Sequence, residues 1–269
     1  MPTALTVSPS LHVVEDLKLG PLIIGLHGWG GSHHTFDPLR EHLPPDRAFA
    51  ACDWPGYGRS PAPANFTLDT IVEPVAAWLR ALRDLHPGPF IAVGSCSGAL
   101  FGIELLRRHP GALDHLVMVE PFAFNPWYLK LFLIPGFGRL AYVSTFANPL
   151  GRWLTNRSLS AQSDEQPDMT TVAHTPNRTT LAYLRELDRM GNARRFASVQ
   201  TPLSLVRGER TFGALIRGIP MWQELFPDAP LDVVEGAGHL PLSEKPELLA
   251  RLVEREAARA TEKVGRSAG

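Results

Sequence analysis

The chain has 269 residues, 44% hydrophobic and 20% charged, with a formal net charge of -1 at pH 7. That balance is ordinary for a globular protein with a sizeable core, and the bulk charge predicts no nucleic-acid partner. Two cysteines, Cys52 and Cys96, are too few for a disulfide scaffold and suit a reducing, cytoplasmic setting.

Met1 to Ser10 has neither a basic n-region nor a long apolar run, so no signal peptide is expected. Leu11 to Val14 reads as an edge strand. Leu22 to Leu26 is a continuous apolar run, the pattern of a strand covered on both faces. It leads into His27-Gly28-Trp29-Gly30-Gly31, whose glycines let the backbone approach a ligand. Phe36 to Leu43 reads as a helix and Ala48 to Cys52 as the next strand, with Cys52 an inert core thiol. After the glycine-rich loop Asp53 to Ser60, Thr67-Leu68-Asp69 starts a helix. It carries Val72, Val75, Ala76, Leu79 and Leu82 at helical spacing and ends at His86-Pro87-Gly88-Pro89.

Phe90 to Val93 is β-prone, and Leu100 to His109 is a helix stopped by Pro110. The stretch between them is a sharp strand-to-helix turn centred on Cys96, with Gly94 two residues before and Gly98 two after. This is the shape of a nucleophile elbow, carrying sulfur where oxygen is usual. A register centred on Ser97 would have Ser95 and Ala99 as its flanks and fits less well; Ser95 fits worst. Leu116 to Val119 is another buried strand, ending at Glu120-Pro121.

From Phe122 to about Met190 the pattern changes to aromatics broken by Pro126, Pro135 and Pro149, with a polar loop expected from Asn156 to Asn177. The apolar run Leu129 to Ile134 is far too short to span a membrane. Leu203 to Val206 and Leu231 to Val234 read as the last two strands, with Pro220 to Phe226 as a short helix between them. Pro246 to Glu256 is a closing amphipathic helix, and the tail from Ala257 is expected to fray. Strands alternating with helices predict a mostly parallel sheet wrapped on both sides, with functional groups at the carboxyl ends of strands. Trp29, Cys96, Glu120 and His239 all fall at such ends.

His27 to Gly31, Asp53 to Ser60, the Cys96 turn and Gly236-Ala237-Gly238-His239, in that order, resemble the α/β-hydrolase family over nearly all of the chain. The resemblance implies a mostly parallel central sheet flanked by helices. Residues 1–120 and 191–269 would form the core, and 121–190 an inserted helical cap. It implies that the Trp29 and Ser97 N–H groups form an oxyanion hole, that His239 is the base, and that Asp53 and His27 are structural. Phe122, Phe124, Trp127 and Tyr128 become candidates for the substrate pocket, and His33, His34 and His174 are expected at the surface or in the cap.

The orienting acid departs from the family pattern, because its usual position holds Thr211. A second location, at the end of the strand after the elbow helix, resembles that of some haloalkane dehalogenases and here holds Glu120. Glu209 is the fallback, with Asp164 and Asp168 as remote options.

A thiol attacks only as thiolate, and a helix N-terminus and a histidine base both favour that form. Dehalogenation is rejected despite the Glu120 likeness: a thioether on Cys96 has no carbonyl for water to attack. Acyl transfer suits the thiolate, as in the dienelactone hydrolases and thioesterases that this cysteine resembles. The expected activity is hydrolysis or acyl transfer on a carboxylic ester or thioester, free or carrier-protein-bound, through acyl-Cys96. No cofactor and no metal are expected. Two alternatives stay open: a lyase-type enzyme with His239 as base, and a non-catalytic small-molecule binder.

Overall fold

The computed structural model describes residues 11–148, 150–151, 153 and 176–267. Seven strands form one sheet: β1 (Val13–Asp16), β2 (Leu22–Leu26), β3 (Ala48–Cys52), β4 (Phe90–Ser95), β5 (His115–Val119), β6 (Leu203–Gly208) and β7 (Leu231–Val234). Their spatial order is β1-β3-β2-β4-β5-β6-β7, and every neighbouring pair is parallel except β1 with β3. The edge strand β1 begins two residues later than its sequence pattern suggests. Its register on β3, Val13 opposite Cys52 through Asp16 opposite Phe49, draws Glu15 and Asp16 into the ladder, and an edge position tolerates such residues.

The apolar runs become strands because helices cover both sides of the sheet. Leu22, Ile24 and Leu26 enter one core with Trp54, Trp78 and Trp222, while Ile23, Phe49, Ile91 and Val117 enter the other. That split is the two-residue period of a strand. Helices α2 (Leu68–Leu85) and α3 (Ser97–Arg108) share the first core. Thr67 caps α2 through a reciprocal pair of bonds with Thr70.

α1 (Asp37–Glu41) lies over the second core with the last helix. Between β5 and β6 the chain forms α4 (Trp127–Lys130), α5 (Gly138–Tyr142) and α6 (Asn177–Met190), with short irregular turns. The polar stretch expected as a loop, Asn156 to Asn177, lies almost wholly outside the described residues, as do Asp164, Asp168 and His174.

Two helices differ from their sequence patterns. α7 (Gly213–Leu225) starts well before Pro220, which sits inside it. Leu215, Ile219 and Trp222 are buried while Pro220 is exposed, so packing outweighs the hydrogen bond that proline removes. After the short α8 (Pro241–Glu244), the closing helix α9 runs Pro246–Ser267 and does not fray at Ala257. Leu249, Val253 and Ala257 are fully buried and four residues apart, one stripe laid on the sheet. No helix among the described residues is long and apolar enough to cross a membrane.

Candidate active site

Cys96 joins β4 to α3 with φ 50 and ψ -114. Among the described residues only Cys96 and Glu120 combine a side chain with positive φ, a conformation costing roughly 1–3 kcal/mol. The surroundings hold the bend: the Cys96 N–H donates to the Val119 carbonyl at 2.8 Å, and its own carbonyl accepts from Ala99 N–H at 3.2 Å. The flanking glycines are obligatory for space. A Cβ on Gly94 would stand 2.5 Å from Ala99 Cα, and one on Gly98 2.1 Å from the Leu26 carbonyl oxygen. A Cβ on Gly28 would be similarly tight, 2.8 Å from the Ser95 carbonyl oxygen and 3.2 Å from Cys96 Cβ.

Glu120 follows β5, its N–H donating to the Val206 carbonyl at 2.8 Å. The side chain is buried and its carboxylate is fully engaged. Oε1 accepts the Gly208 N–H at 2.6 Å, and Oε2 accepts the Thr211 hydroxyl and, at 2.7 Å, His239 Nδ1. The Thr211 position, unable to carry charge, instead donates to the carboxylate that does. Glu209 turns elsewhere: its Oε2 accepts the Gly236 N–H at 2.9 Å, bracing the loop that carries His239. Glu244 braces the same loop, accepting from the N–H groups of Gly238 and Leu240. The sequence reading missed Thr211 and Glu244, because their roles rest on bonds to backbone and to a distant carboxylate.

The His239 ring lies between Phe212 and Phe122, with centroids at 4.7 and 5.7 Å. Burial disfavours its charged form, but hydrogen bonds with Cys96 and Glu120 outweigh burial and push its pKa up to about 10. The carboxylate beside the ring is one cause that favours its charged form.

Trp29 is pinned by its indole N–H, which donates to the Thr180 carbonyl of α6 at 2.9 Å, and its ring meets Tyr142 and Phe146 edge-on. His27 is structural in its contacts: its Nε2 accepts the Trp54 N–H at 3.0 Å, and burial lowers its pKa to about 4. Asp53 holds its loop by accepting from the His33 and Arg59 N–H groups, at 2.7 and 2.8 Å. His33, expected at the surface or in the cap, is buried beside β3, because its ring Nδ1 also meets Asp53 Oδ1 at 2.8 Å.

A cleft enclosing about 590 Å³, open mouth included, lies over Cys96. Trp29, Cys96 and Ser97 form its floor, with Phe122, Phe124, Leu129, Leu184, Leu187, Met190 and Phe196 among its walls, and none of the lining residues among those described is charged. Trp127 is 73% exposed and outside this lining. Its neighbour Tyr128 is half-buried, also outside the lining, and close enough to Cys96 that, after burial, negative charge on the sulfur raises its pKa. The α6 residues Leu184, Leu187 and Met190 are missed by an aromatic-centred reading; their three-residue spacing on one helix face is the signal that could have found them. No metal-ligating cluster occurs at the cleft among the described residues.

A family model described as "Alpha/beta hydrolase family" matches residues 23–252. A pimeloyl-[acyl-carrier protein] methyl ester esterase of Neisseria meningitidis is 32% identical over 98 residues, 36% of this chain and 29% of that protein. The chain thus matches about a third or less of the length of that relative. Another protein of the same description, from Xylella fastidiosa, is 27% identical over 245 residues, 85% of this chain and 91% of that one. Among solved structures, a putative lipase of Acinetobacter baumannii superposes with a TM-score of 0.76 at 15% identity, covering 98% of this chain and 92% of the other.

Proposed function

Because the chain belongs to the alpha/beta hydrolase family, we propose that it cleaves a carboxylic ester or thioester through an acyl-Cys96 intermediate, with Cys96, His239 and Glu120 as the triad. The observation that carries this reading is the 2.7 Å contact of His239 Nδ1 with a buried Glu120, with Cys96 on a strained elbow at the end of the neighbouring strand β4. Glu120 fixes Nδ1 as the protonated nitrogen and leaves Nε2 to exchange a proton with sulfur.

The thiolate attacks the substrate carbonyl carbon and a C–S bond forms. The Trp29 and Ser97 N–H groups receive the oxyanion, each worth about 2.7–4 kcal/mol in such sites. The intermediate collapses, the C–O or C–S bond to the leaving group breaks, and His239 gives that group its proton. Water, deprotonated by His239, then attacks the thioester carbonyl and releases the acid and Cys96; another nucleophile in place of water gives acyl transfer. The segment 121–190 acts as the cap. An uncharged, aromatic-walled cleft favours an apolar acyl part. The relatives' description suggests a small alkyl ester of a carrier-bound acyl chain as one candidate. A thiol nucleophile works best in a reducing compartment.

Intact-mass analysis after mixing with p-nitrophenyl butyrate or a butyryl thioester tests the reading. A single butyryl adduct, mapped to Cys96 and lost in Cys96→Ala, is the expected result. Cys52 is fully buried, and burial drives its thiol pKa far up, so it should stay unlabelled. Full turnover by Cys96→Ala would replace acyl transfer with chemistry run by His239 alone.

A further inference from the structure

Away from the cleft, three segments distant in sequence converge. His12 precedes β1, His33 follows β2 and Asp53 follows β3. Each offers one donor atom, and the three donor atoms lie within 4.8 Å of one another. We propose that His12, His33 and Asp53 form a binding site for one divalent transition metal of zinc type.

Three observations support it. The first is the donor set. Two imidazoles and a carboxylate match the nitrogen and oxygen ligands of borderline cations, and magnesium prefers oxygen alone. The second is His12 itself: its Nε2 is buried and has no hydrogen-bond partner among the described residues. A buried polar atom without a partner costs about 1–3 kcal/mol, and a metal bond would remove that cost. The His12 backbone is fixed at the same time, its N–H donating to Ser60 Oγ at 2.8 Å and its carbonyl accepting the Asp53 N–H at 2.9 Å.

The third is that the remaining ligands are already oriented. Asp53 is held by the His33 and Arg59 N–H groups, and the His33 ring is fixed against its Oδ1. A tetrahedral zinc with bonds near 2.0–2.1 Å sets its ligands about 3.3 Å apart. The 2.8 Å contact between His33 Nδ1 and Asp53 Oδ1 needs to open only slightly for a metal to replace the shared proton. That proton leaves Nδ1 for Nε2, so the ring stays neutral. His12 then closes the rest of the gap. Water completes the coordination.

The groups facing the cluster are Arg59 and His34. Arg59 disfavours positive charge at His12 and weakens any cation bound there. His34 packs on the His33 ring at 4.0 Å but turns its Nδ1 to Asp37 at 2.7 Å, so it is not a required ligand.

Calorimetry on tag-free, chelator-treated protein tests the site, with zinc chloride as titrant and magnesium chloride as comparison. One zinc per chain and no magnesium binding is the expected result. His12→Gln removes no side-chain hydrogen bond among the described residues, gives up the edge contact with the His33 ring at 5.1 Å, and should weaken zinc by about tenfold or more while leaving the metal-free protein folded. His33→Gln should weaken it likewise, and His34→Gln should not. Zinc should raise the melting temperature of the wild type and not of His12→Gln. Affinity that survives His12→Gln but falls in His34→Gln would move the metal to the exposed His34–Asp37 pair and overturn the assignment. Absence of zinc binding up to ~1 mM would overturn it outright.

Discussion

Replacing Glu120 with glutamine alters one atom and one charge at the centre of the proposed triad. The amide oxygen can keep the Gly208 N–H, now at 2.6 Å from Oε1. The amide nitrogen then occupies the place of Oε2, which today accepts both the Thr211 hydroxyl and His239 Nδ1. The threonine hydroxyl can rotate to become an acceptor. The imidazole cannot do so without moving its proton to Nε2, where it faces sulfur and can no longer remove the thiol proton.

Loss of a charge-assisted bond is worth about 1.5–3 kcal/mol, and loss of general-base catalysis about 10²–10⁴ in rate. The lost bond is what disables the base, so the second figure contains the first, and the fall in kcat/KM is about 10²–10⁴, or roughly 2.7–5.5 kcal/mol of transition-state stabilisation. Steady-state hydrolysis of p-nitrophenyl butyrate measures it, with Glu209→Gln as the control. The Glu209 carboxylate accepts from the exposed Gly236 backbone, a bond that a glutamine amide oxygen can keep, so its variant should stay within about threefold of wild type. If both variants lose activity equally, or Glu120→Gln loses almost none, the carboxylate behind the imidazole does not orient it for catalysis.

The elevated His239 pKa has two consequences. Its stabilising contribution is fully present below the ordinary imidazole value of 6.5 and is lost as the pH rises through about 10; denaturant melts across that window measure it. Cys96→Ala removes one of the hydrogen bonds that raise this pKa, so an NMR titration of the His239 ring should move downward, and an unmoved titration would separate the sulfur from the ring. Gly98→Ala places a methyl 2.1 Å from the Leu26 carbonyl oxygen and should destabilise by about 3 kcal/mol or more, seen as a lowered melting temperature and lost activity.

The elbow was legible in the sequence because glycines mark it. A bend that holds Cys96 at positive φ leaves no room for a Cβ on either flank, at Gly94 against Ala99 and at Gly98 against the Leu26 carbonyl. The central strands were legible for a related reason: an uninterrupted apolar run such as Leu22–Leu26 has no polar face to offer water. The choice between Glu120 and Glu209 was not settled in this way. Both follow strands and both lie far along the chain from His239. Strand order brings the ends of β5, β6 and β7 side by side, and only then does Glu120 meet Gly208, Thr211 and His239 together while Glu209 turns to Gly236.

Tertiary packing likewise drew His33 inward to Asp53, left Trp127 in solvent, extended α7 across Pro220 and kept α9 helical past Ala257. Steric limits on the backbone act between near neighbours, so residue order alone expresses them. Side-chain hydrogen bonds and burial join residues that only the folded sheet makes adjacent.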